Sequence, residues 1–578
     1  MARYQLTPPE QALSRLSQAV DLAWGHIGND FFPQRERGAP LGGRLPDLSF
    51  EGAQHRADMG AKILALLDTV DDEQLPHDSA LTSKLLRYYA NSWSQEAKHY
   101  WVAVDPTGSL FYGPFAQTAY TGGYLFSSIN PTVTSLAFEK DGDAERYLVL
   151  LADITRMLGQ IHERTAGQAQ RGIRIHRPQL PAVRVMLERL RKTAQAAYPV
   201  AADRLARLKD ADALVAEISR RIEQQVLPAF DALIAQLDAE YERLAPDAVG
   251  LDKLPGGKEA YAWLLRQHTT RDLNAEQVHA AGHARMARIE AEMAQLRAQL
   301  GFTGSPADFA AYLRQQPGAA ATSAEDIGER MRRHKDGIER RFDEFFYQRS
   351  AYGYDLVRLD PALEGSMTWG FYHPPVPEEP RGLYHYNGGK LDSLAVIAAA
   401  SLVFHELVPG HHLHLTLQRD NEALLPLRRN ASVNAFNEAW AEYSATLTGE
   451  MGLYDNPFDR YGRLCMDAFL TCRLVVDTGM NALGWSWEQA KDYLREHTLC
   501  AEGEIESDTL RYSCGIPAQS LAYKLGDEDL LRMRDKARER MQGQLDLRDF
   551  HAAILDAGAL PLPALEWHLE KVFAGAEA

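Results

Sequence analysis

His405-Glu406-Leu407-Val408-Pro409-Gly410-His411-His412 ends a mostly apolar run, residues 398–404, within a segment of helical periodicity that covers residues 391–419. These residues nearly match His-Glu-x-x-His, the helical motif in which two histidines one turn apart bind zinc and the glutamate acts as general base. Here the second histidine comes two residues too late. The segment therefore predicts a buried helix that carries metal chemistry, provided that the spacing of its histidines can be restored.

The spacing does not suit a regular helix. Successive residues turn by about 100° and rise by about 1.5 Å, so His411 lies about 120° around the helix from His405 and about 9 Å along it. His412 returns to the same face, but about 10.5 Å along the axis. Because zinc–nitrogen bonds are only about 2.0–2.1 Å long, neither histidine could share a metal ion with His405 in an undistorted helix.

Pro409 removes this objection. It has no N–H, and its ring collides with the carbonyl group four residues earlier, which belongs to His405. We expect the helix to bulge at this point, with the backbone freedom of Gly410 absorbing the distortion. His411 then becomes the second ligand beside His405. His412 stays an alternative for that role, and otherwise lies next to the ligands.

A catalytic zinc site needs a third protein ligand and leaves one position open for water. Glu438 and Glu442 lie one helical turn apart within Asn434–Tyr443, and Glu438 follows His411 by 27 residues. This separation leaves room for a helix, a loop and a returning helix. We expect Glu438 to bind the metal and Glu442 to accept a hydrogen bond from the outer nitrogen of a ligand histidine, which fixes the histidine tautomer.

The composition is that of a globular protein, with 45% hydrophobic and 24% charged residues among 578. The formal net charge of −17 argues against nucleic acid or an anionic membrane surface as the main partner, because both are recognised through clustered lysines and arginines. The first residues lack a signal-peptide core and no long uncharged apolar run occurs, so we expect a cytoplasmic protein. The four cysteines form no Cys-x-x-Cys pair and are expected to be buried small hydrophobic residues.

Helical periodicity returns along most of the chain, so a mostly α fold is expected. The other periodic segments lie near 51–69, 79–96, 143–165, 202–244, 275–300, 323–347, 431–452, 457–483, 528–542 and 561–574. Two short strands, Leu383–Tyr386 and Gly370–Tyr372, are expected to form a small β element near the active site. We expect chemistry in a catalytic lobe of residues 351–578, with residues 1–350 forming a helical wall or lid of a shared cleft.

Several segments resemble the signatures of the bacterial domain of unknown function 885 family, and the likeness covers most of the chain. They are His405–His412, Glu438–Tyr443, Pro517–Gly526, Leu254–Gly257 and His268–Thr270. That family is regarded as metallopeptidase-like. The resemblance implies a large helical zinc-peptidase-like fold, similar to helical oligopeptidases and carboxypeptidases, with two lobes around a deep cleft. Ala439 departs from the pattern, since glycine is expected after the glutamate.

A site of this kind implies a reaction. One zinc ion per chain, held by His405, His411 and Glu438, would lower the pKa of its bound water toward about 7 and polarise the peptide carbonyl group of a short peptide. Glu406 would take the water proton and pass it to the leaving amine.

Other residues are candidates for contacts with the reacting peptide. In the oligopeptidases that the chain resembles, tyrosines well downstream of the motif stabilise the oxyanion, which makes Tyr512 and Tyr523 the candidates here. Arg511 could clamp a substrate C-terminal carboxylate in bidentate fashion, and a salt bridge to a nearby glutamate is the alternative. Tyr384 and Tyr386 precede the motif helix and could help to bind an extended peptide by edge pairing.

Two other functions fit the same residues. A metal-dependent hydrolase of another amide, for example in a biosynthetic pathway, would use the same site. A catalytically inactive helical binding or scaffold protein would keep the fold without the metal, although the intact Glu406 argues against it. Glu276-Gln277-Val278-His279 matches half of a di-iron Glu-x-x-His pair, but no second copy with suitable partners follows, so a ferritin-like oxidase is disfavoured.

Overall fold

The chain divides into two compact units. The structure, a computed structural model, describes residues 9–36, 39–315, 321–359, 361, 364, 369–376, 379–389, 391, 394–454 and 456–574. Unit 1 takes its described residues from 1–261, 376–378 and 513–517, and unit 2 takes them from 262–375, 379–512 and 518–578. The chain thus first passes between units near residue 261, earlier than the lobe boundary suggested at 350. The role of residues 1–350 as a wall or lid stays a prediction.

Unit 1 is helical. Its helices are α1 (Pro9–Ile27), α2 (Phe31–Glu36), α3 (Phe50–Leu67), α4 (His77–Trp93), α5 (Glu96–His99), α6 (Tyr124–Ser135), α7 (Asp141–Gln170), α8 (Leu180–Ala197), α9 (Ala211–Arg221), α10 (Leu227–Gln236), α11 (Ala239–Leu244) and α12 (Gly257–Thr269), which continues into unit 2. The periodic segment 202–244 contains three of these helices, α9, α10 and α11. A new helix starts at α11 because the carboxylate of Asp238 accepts a hydrogen bond from the Tyr241 N–H and caps it.

Unit 2 holds the remaining helices and a small sheet. The helices are α13 (Ala275–Gln299), α14 (Pro306–Gln315), α15 (Ala324–Glu339), α16 (Leu394–Ile397), α17 (Ala399–Glu406), α18 (His411–Asp420), α19 (Pro426–Arg429), α20 (Asn434–Glu450), α21 (Pro457–Asn481), α22 (Trp487–His497), α23 (Glu502–Leu510), α24 (Ala522–Arg540), α25 (Leu547–Ala557) and α26 (Leu562–Val572). The mostly α fold expected from the sequence is confirmed. Among the described helices, none is long and apolar enough to cross a membrane.

The sheet has the strand order β1-β3-β2, with β1 (Gly353–Arg358) parallel to β3 (Arg381–Tyr386) and β2 (Gly370–His373) antiparallel to it. The two predicted strands are confirmed as parts of β3 and β2. The sequence missed β1, because only Leu356 of that strand is buried and the strand therefore has no clear alternation of apolar and polar residues.

Helix α20 occupies the interior of unit 2 and packs against α17, α18 and α24. Its contact with α24 is very close: a Cβ atom added to Gly526 would lie 2.5 Å from the Cβ of Ala439. The alanine that departs from the family pattern therefore still permits tight packing, because the facing residue is glycine. Cys465, Cys472 and Cys514 are buried, as expected, whereas Cys500 is partly exposed.

Candidate metal centre

The motif segment is broken into two helices. We expected a bulge within a continuous helix over 391–419, and this prediction is wrong: α17 ends at Glu406 and α18 begins at His411. The Val408-Pro409 peptide bond is cis. A Cβ atom on Gly410 would lie 1.8 Å from the carbonyl oxygen of His405, so glycine is needed here for space. Its φ of −74° is paired with a ψ of −131°, a combination outside both the helical and the extended regions, and glycine was expected to absorb the distortion at this position.

Helix α20 holds the break from the other side. The carbonyl oxygen of Pro409 accepts hydrogen bonds from Trp440 Nε1 at 2.8 Å and from Ser444 Oγ at 3.2 Å. The N–H of His412 donates to the carbonyl oxygen of Leu407 at 3.1 Å and closes the turn. These bonds fix α20 against the start of α18, and α20 carries Glu438.

Three side chains from these elements meet. Glu438 Oε2 lies 3.5 Å from His405 Nε2 and 3.6 Å from His411 Nε2, and one ligand atom from each residue lies within 4.8 Å of the others. The two imidazole rings are nearly perpendicular, with centroids 4.9 Å apart. Two ligand atoms about 2.0–2.2 Å from a tetrahedral zinc ion are about 3.4 Å apart. The spacing of the three side chains is therefore suited to a metal ion.

The chemistry of Glu438 gives an independent test of that fit. This residue is 8% exposed, and its buried Oε2 has no hydrogen-bond partner among the described residues. A buried carboxylate oxygen without a donor is costly. A cation bound between the three side chains would satisfy it. His405, His411 and Glu438 thus have the donor types, the burial and the spacing that a divalent metal ion requires.

His405 is oriented by a carboxylate. Its Nδ1 lies 2.9 Å from Oε1 of the buried Glu442, which is the contact expected from the sequence. The other oxygen of Glu442 accepts from Arg463 Nη2 and from Lys524 Nζ, each at 3.0 Å. Burial opposes ionisation of Glu442, but these two cations hold the pKa of its carboxyl well below the usual range. Burial opposes protonation of His405, but its hydrogen bonds to Glu438 and Glu442 raise its pKa to about 10. Glu442 is therefore an anion that accepts the Nδ1 proton of His405, and a metal ion would take the place of the proton on Nε2.

Behind Glu442 lies a group of charged side chains that we call the ion cluster. It consists of Glu442, Asp467, Asp527, Lys524, Arg463 and Arg285. Lys524 is fully buried, and its Nζ lies 2.8 Å from Asp467 and 2.6 Å from Asp527. Arg285 reaches the same two aspartates at 3.0 and 3.2 Å. Within the ion cluster three anions face three cations, and Arg285 also pairs with the partly exposed Glu528 at 2.7 Å, so each charge has an opposite partner, as buried ions require.

His411 is oriented by a neutral group instead. Its Nδ1 lies 3.2 Å from Nε2 of His414, one turn further along α18. Burial holds the pKa of His414 well below its usual value, so this imidazole is uncharged. If Nε2 of His411 binds a metal, Nδ1 carries the proton and donates a hydrogen bond to Nε2 of His414. His414 was not among the predicted site residues, because its role depends on where α18 begins.

Gln519 contacts the second oxygen of Glu438, with Nε2 3.4 Å from Oε1. It also donates to Asn434 Oδ1 at 3.0 Å and accepts from Arg511 Nη2 at 2.7 Å. The turn that carries it is held by the buried Asp477, which accepts from the Ala518 N–H and the Ser520 hydroxyl. The segment Pro517–Gly526 had been singled out from the sequence, but nothing in its spacing indicated that Gln519 faces the site.

Glu406, the predicted general base, is the last residue of α17 and is partly exposed. Burial of its carboxyl raises its pKa, and the neighbouring His405 and His411 oppose this shift. The charge of Glu406 adds to burial in raising the pKa of the fully buried Tyr384. The Tyr384 hydroxyl donates to the carbonyl oxygen of Trp369 at 3.3 Å.

The two predicted catalytic tyrosines lie in different surroundings. The ring of Tyr523 is parallel to that of His405, with an interplanar angle of 8° and centroids 5.9 Å apart. Its hydroxyl is 3.4 Å from Arg511 Nη2. Tyr512 is fully buried and its hydroxyl accepts a hydrogen bond from Arg473 Nε at 2.7 Å. Tyr523 therefore lies beside one metal-ligand candidate, His405, whereas the hydroxyl of Tyr512 is bonded to Arg473.

Two predicted residues point elsewhere. Nδ1 of His412 lies 2.9 Å from the Tyr372 hydroxyl, and its Nε2 lies 3.1 Å from the carbonyl oxygen of Tyr352. Both nitrogens are thus engaged on the side of the sheet, and His411 is the histidine that faces His405. The hydroxyl of Tyr386 lies against α15, where a Cβ atom on Gly328 would be 2.5 Å away.

Comparisons with known proteins give a family and a fold. Residues 34–569 match the family model described as "Bacterial protein of unknown function (DUF885)". A crystal structure described as "the putative lipoprotein from Colwellia psychrerythraea" is 22% identical, covers 98% of this chain and 97% of its own, and has a TM-score of 0.78. A "putative lipoprotein of unknown function from Shewanella oneidensis" is 16% identical, covers 96% and 99%, and has a TM-score of 0.69.

None of the curated proteins compared with the chain is significantly similar to it. The lipoprotein descriptions of the two structural neighbours differ from the cytoplasmic location expected here. At such identities the likeness shows the fold alone, and the location stays a prediction. The family match covers most of the chain, so this protein belongs to the DUF885 family of bacterial proteins of unknown function.

Proposed function

We propose that this protein is a zinc-dependent hydrolase that cleaves the amide bonds of short peptides. One zinc ion per chain would be held by His405, His411 and Glu438. The observation that carries the proposal is the buried Oε2 of Glu438, which lacks a hydrogen-bond partner among the described residues and faces Nε2 of both histidines. When bound, zinc would lower the pKa of a water molecule and polarise the substrate carbonyl group.

Other side chains would transfer the proton and orient the two histidines. Glu406 is the general base: its raised pKa keeps it able to take a proton from water and to return one to the leaving amine. Glu442 and His414 hold the Nδ1 protons of His405 and His411 away from the site, so that both Nε2 atoms present lone pairs.

Tyr523 is the better candidate for an oxyanion donor, since its ring stacks on His405 whereas the Tyr512 hydroxyl is bonded to Arg473. Arg511 lies beside the Tyr523 hydroxyl, where its guanidinium group would suit a substrate carboxylate. A two-lobed cleft that admits only short peptides would account for the substrate class, and this arrangement stays part of the proposal.

Metal analysis tests the proposal directly. Untagged protein, freed of metal and then dialysed against zinc, should retain one zinc ion at this centre in the wild type and in His412→Ala. His405→Ala and His411→Ala should lose it. His412→Ala is the matched control, because it removes the neighbouring histidine on the same turn. Equal zinc content in His411→Ala and His412→Ala would remove His411 from the ligand set.

Hydrolysis of a short-peptide library tests the base. Glu406→Gln should keep zinc and the fold but lose activity by about a hundredfold or more, the usual contribution of general base catalysis. Zinc binding without cleavage of any peptide by the wild type would favour the amide hydrolase of a biosynthetic pathway. The absence of both zinc and cleavage would favour the inactive scaffold.

A further inference from the structure

Two histidines of α13, outside the candidate metal centre, bring their Nε2 atoms together. His279 and His283 lie one helical turn apart, and their Nε2 atoms are separated by 3.2 Å. The two rings are steeply inclined to each other, with centroids 4.8 Å apart. His283 is exposed and His279 is partly exposed, so solvent reaches the pair. Which nitrogen of each ring carries the proton determines what these two Nε2 atoms can bind.

The proton of His279 is fixed by α21. Its Nδ1 lies 2.9 Å from Thr478 Oγ1 and 3.1 Å from the carbonyl oxygen of Val475. A carbonyl oxygen only accepts, and the Thr478 hydroxyl already donates to the carbonyl oxygen of Leu474 at 2.6 Å. Nδ1 of His279 therefore carries the proton, and its Nε2 presents a lone pair toward His283.

Close helix packing makes this contact possible. A Cβ atom on Gly282, between the two histidines, would lie 2.7 Å from Val475 Cγ2, so α13 approaches α21 at this turn as only glycine permits. The ring of Trp485 meets the His279 ring edge-on at 5.1 Å and helps to hold its orientation. His279 is thus a fixed imidazole whose free nitrogen points outward.

His283 can take either tautomer. Its Nδ1 lies 3.3 Å from the Tyr493 hydroxyl, which can donate or accept. With the proton on Nε2, His283 donates to His279; with the proton on Nδ1, it donates to Tyr493 and both Nε2 lone pairs face the same point. Burial lowers the pKa of both histidines, so both are neutral imidazoles, the form that binds metals.

We propose that His279 and His283 form a second, solvent-accessible site for a divalent transition-metal ion of the Cu²⁺, Ni²⁺ or Zn²⁺ type. In a tetrahedral site with metal–nitrogen bonds of about 2.0–2.1 Å, two ligand nitrogens are about 3.3 Å apart, close to the 3.2 Å observed. Imidazole is a preferred ligand of these three ions.

Unlike the candidate centre at His405, this site has only two protein ligands in the part of the chain that the structure describes. Among the described residues, no third histidine, cysteine, aspartate or glutamate completes the pair to a three-ligand group. The remaining coordination positions are therefore filled by water or by a donor group of another molecule. Such a site exchanges its metal readily and is independent of the centre at His405.

Titration of untagged, metal-free protein with Cu²⁺ tests the proposal, since Cu²⁺ binds most tightly among these ions. His283→Ala, an exposed position, should bind one equivalent of Cu²⁺ fewer than the wild type, with loss of its nitrogen-coordinated electron paramagnetic resonance signal. His497→Ala is the matched control: the ring of this histidine also contacts Tyr493, tilted with centroids 4.3 Å apart, but its Nδ1 bonds Glu290. It should bind as much Cu²⁺ as the wild type. Unchanged binding by His283→Ala overturns the proposal.

The same titration separates this site from the proposed zinc centre. His405→Ala should retain the equivalent that His283→Ala loses, and the double variant should lack both. If the zinc centre does not exist, wild type binds a single equivalent that disappears in His283→Ala. If His279 and His283 bind no metal, His405→Ala alone removes all specific binding. His279→Gln, which keeps a side chain able to bond Thr478, should reproduce the loss seen with His283→Ala.

Discussion

The two histidines of the candidate metal centre face Glu438 from similar distances but are oriented by opposite means. His405 bonds an ionised carboxylate, Glu442, whose charge is balanced by the ion cluster, whereas His411 bonds the neutral imidazole of His414. A carboxylate makes the ligand imidazole more basic but requires cations deep in the protein. An imidazole partner needs no counter-ion. One side of the centre should therefore be sensitive to charge and the other only to shape.

The largest effect is expected at Gly410, because this residue touches the carbonyl group of His405 and directly precedes His411. Gly410→Ala places a Cβ atom against the carbonyl oxygen of His405, and neither the backbone of α17 nor that of α18 can move without separating the ligands. Overpacking usually costs about 1–3 kcal/mol, and here the added atom meets only backbone, so we expect the free energy of unfolding to fall by about 3 kcal/mol or more. The variant should also lose its bound zinc.

Guanidinium unfolding and zinc analysis measure these losses. Gly159→Ala is the control, since that glycine lies inside α7 and an added Cβ atom would meet no atom within 4 Å. It should be neutral or stabilise by up to about 1 kcal/mol. Zinc retention by Gly410→Ala would mean that the break does not set the position of His411.

Breaking the ion cluster tests the charged side alone. Lys524→Met leaves Glu442, Asp467 and Asp527 with only two cations, and an uncompensated buried charge costs about 3–5 kcal/mol. Urea unfolding with a chelator present measures this cost free of any contribution from bound metal.

Lys536→Met is the control for Lys524→Met. Lys536 also pairs with a carboxylate, Glu566, at 2.6 Å, but its side chain is 45% exposed. The free energy of unfolding should change by less than about 1 kcal/mol. Similar losses in the two variants would show that the cluster is solvated and does not stabilise the His405 side.

The two orienting groups, Glu442 and His414, can be changed one at a time. Glu442→Gln should lower zinc affinity by about a hundredfold, because it removes the negative charge opposite His405 and turns an amide group toward the donors Arg463 and Lys524. His414→Phe removes only a neutral acceptor and should lower zinc affinity by about tenfold. Competition with a chromophoric chelator measures both affinities. A larger loss in His414→Phe would reverse the assignment of the charge-dependent side.

The spacing of residues along the sequence could predict which side chains share a face of one helix, but not how two helices meet. The pair Glu438 and Glu442 could be placed on one face of a helix, and the structure brings both to His405. The choice between His411 and His412 could not be made, because it depends on how the chain turns between α17 and α18. We expected a bulged but continuous helix, whereas the chain ends one helix at Glu406 and begins another at His411.

The surroundings of the site depend on contacts far apart in sequence. The partners of Glu442 come from α21 and α24, and Gln519 comes from a turn held by Asp477. Buried lysines and aspartates have no periodic signature of their own, so the ion cluster could not be recognised from one sequence. The mostly α class and two of the three strands could be predicted, because apolar periodicity is a local property.

The smallest effect is expected at Gln519, which orients the third ligand. Its amide contacts Glu438 Oε1 at 3.4 Å, a long hydrogen bond, so Gln519→Met should lower zinc affinity by about three- to tenfold, equivalent to about 0.5–1.5 kcal/mol. The chelator competition used for His414→Phe measures it. Gln489→Met is the control, because the Oε1 of that glutamine accepts a hydrogen bond from the Ser486 N–H at the start of α22, and the change should leave zinc affinity unchanged.

The size of the Gln519 effect shows whether Glu438, like His405 and His411, depends on a hydrogen bond for its orientation. Both histidines are held through Nδ1, and their Nε2 atoms face the proposed metal position. Glu438 is held through Oε1, the oxygen beside the Oε2 that faces the same position. If Gln519→Met costs less affinity than His414→Phe, the position of Glu438 is set mainly by the packing of α20 against α24. If it costs more, the carboxylate depends on its amide contact, and the turn held by Asp477 becomes a third orienting element of the centre.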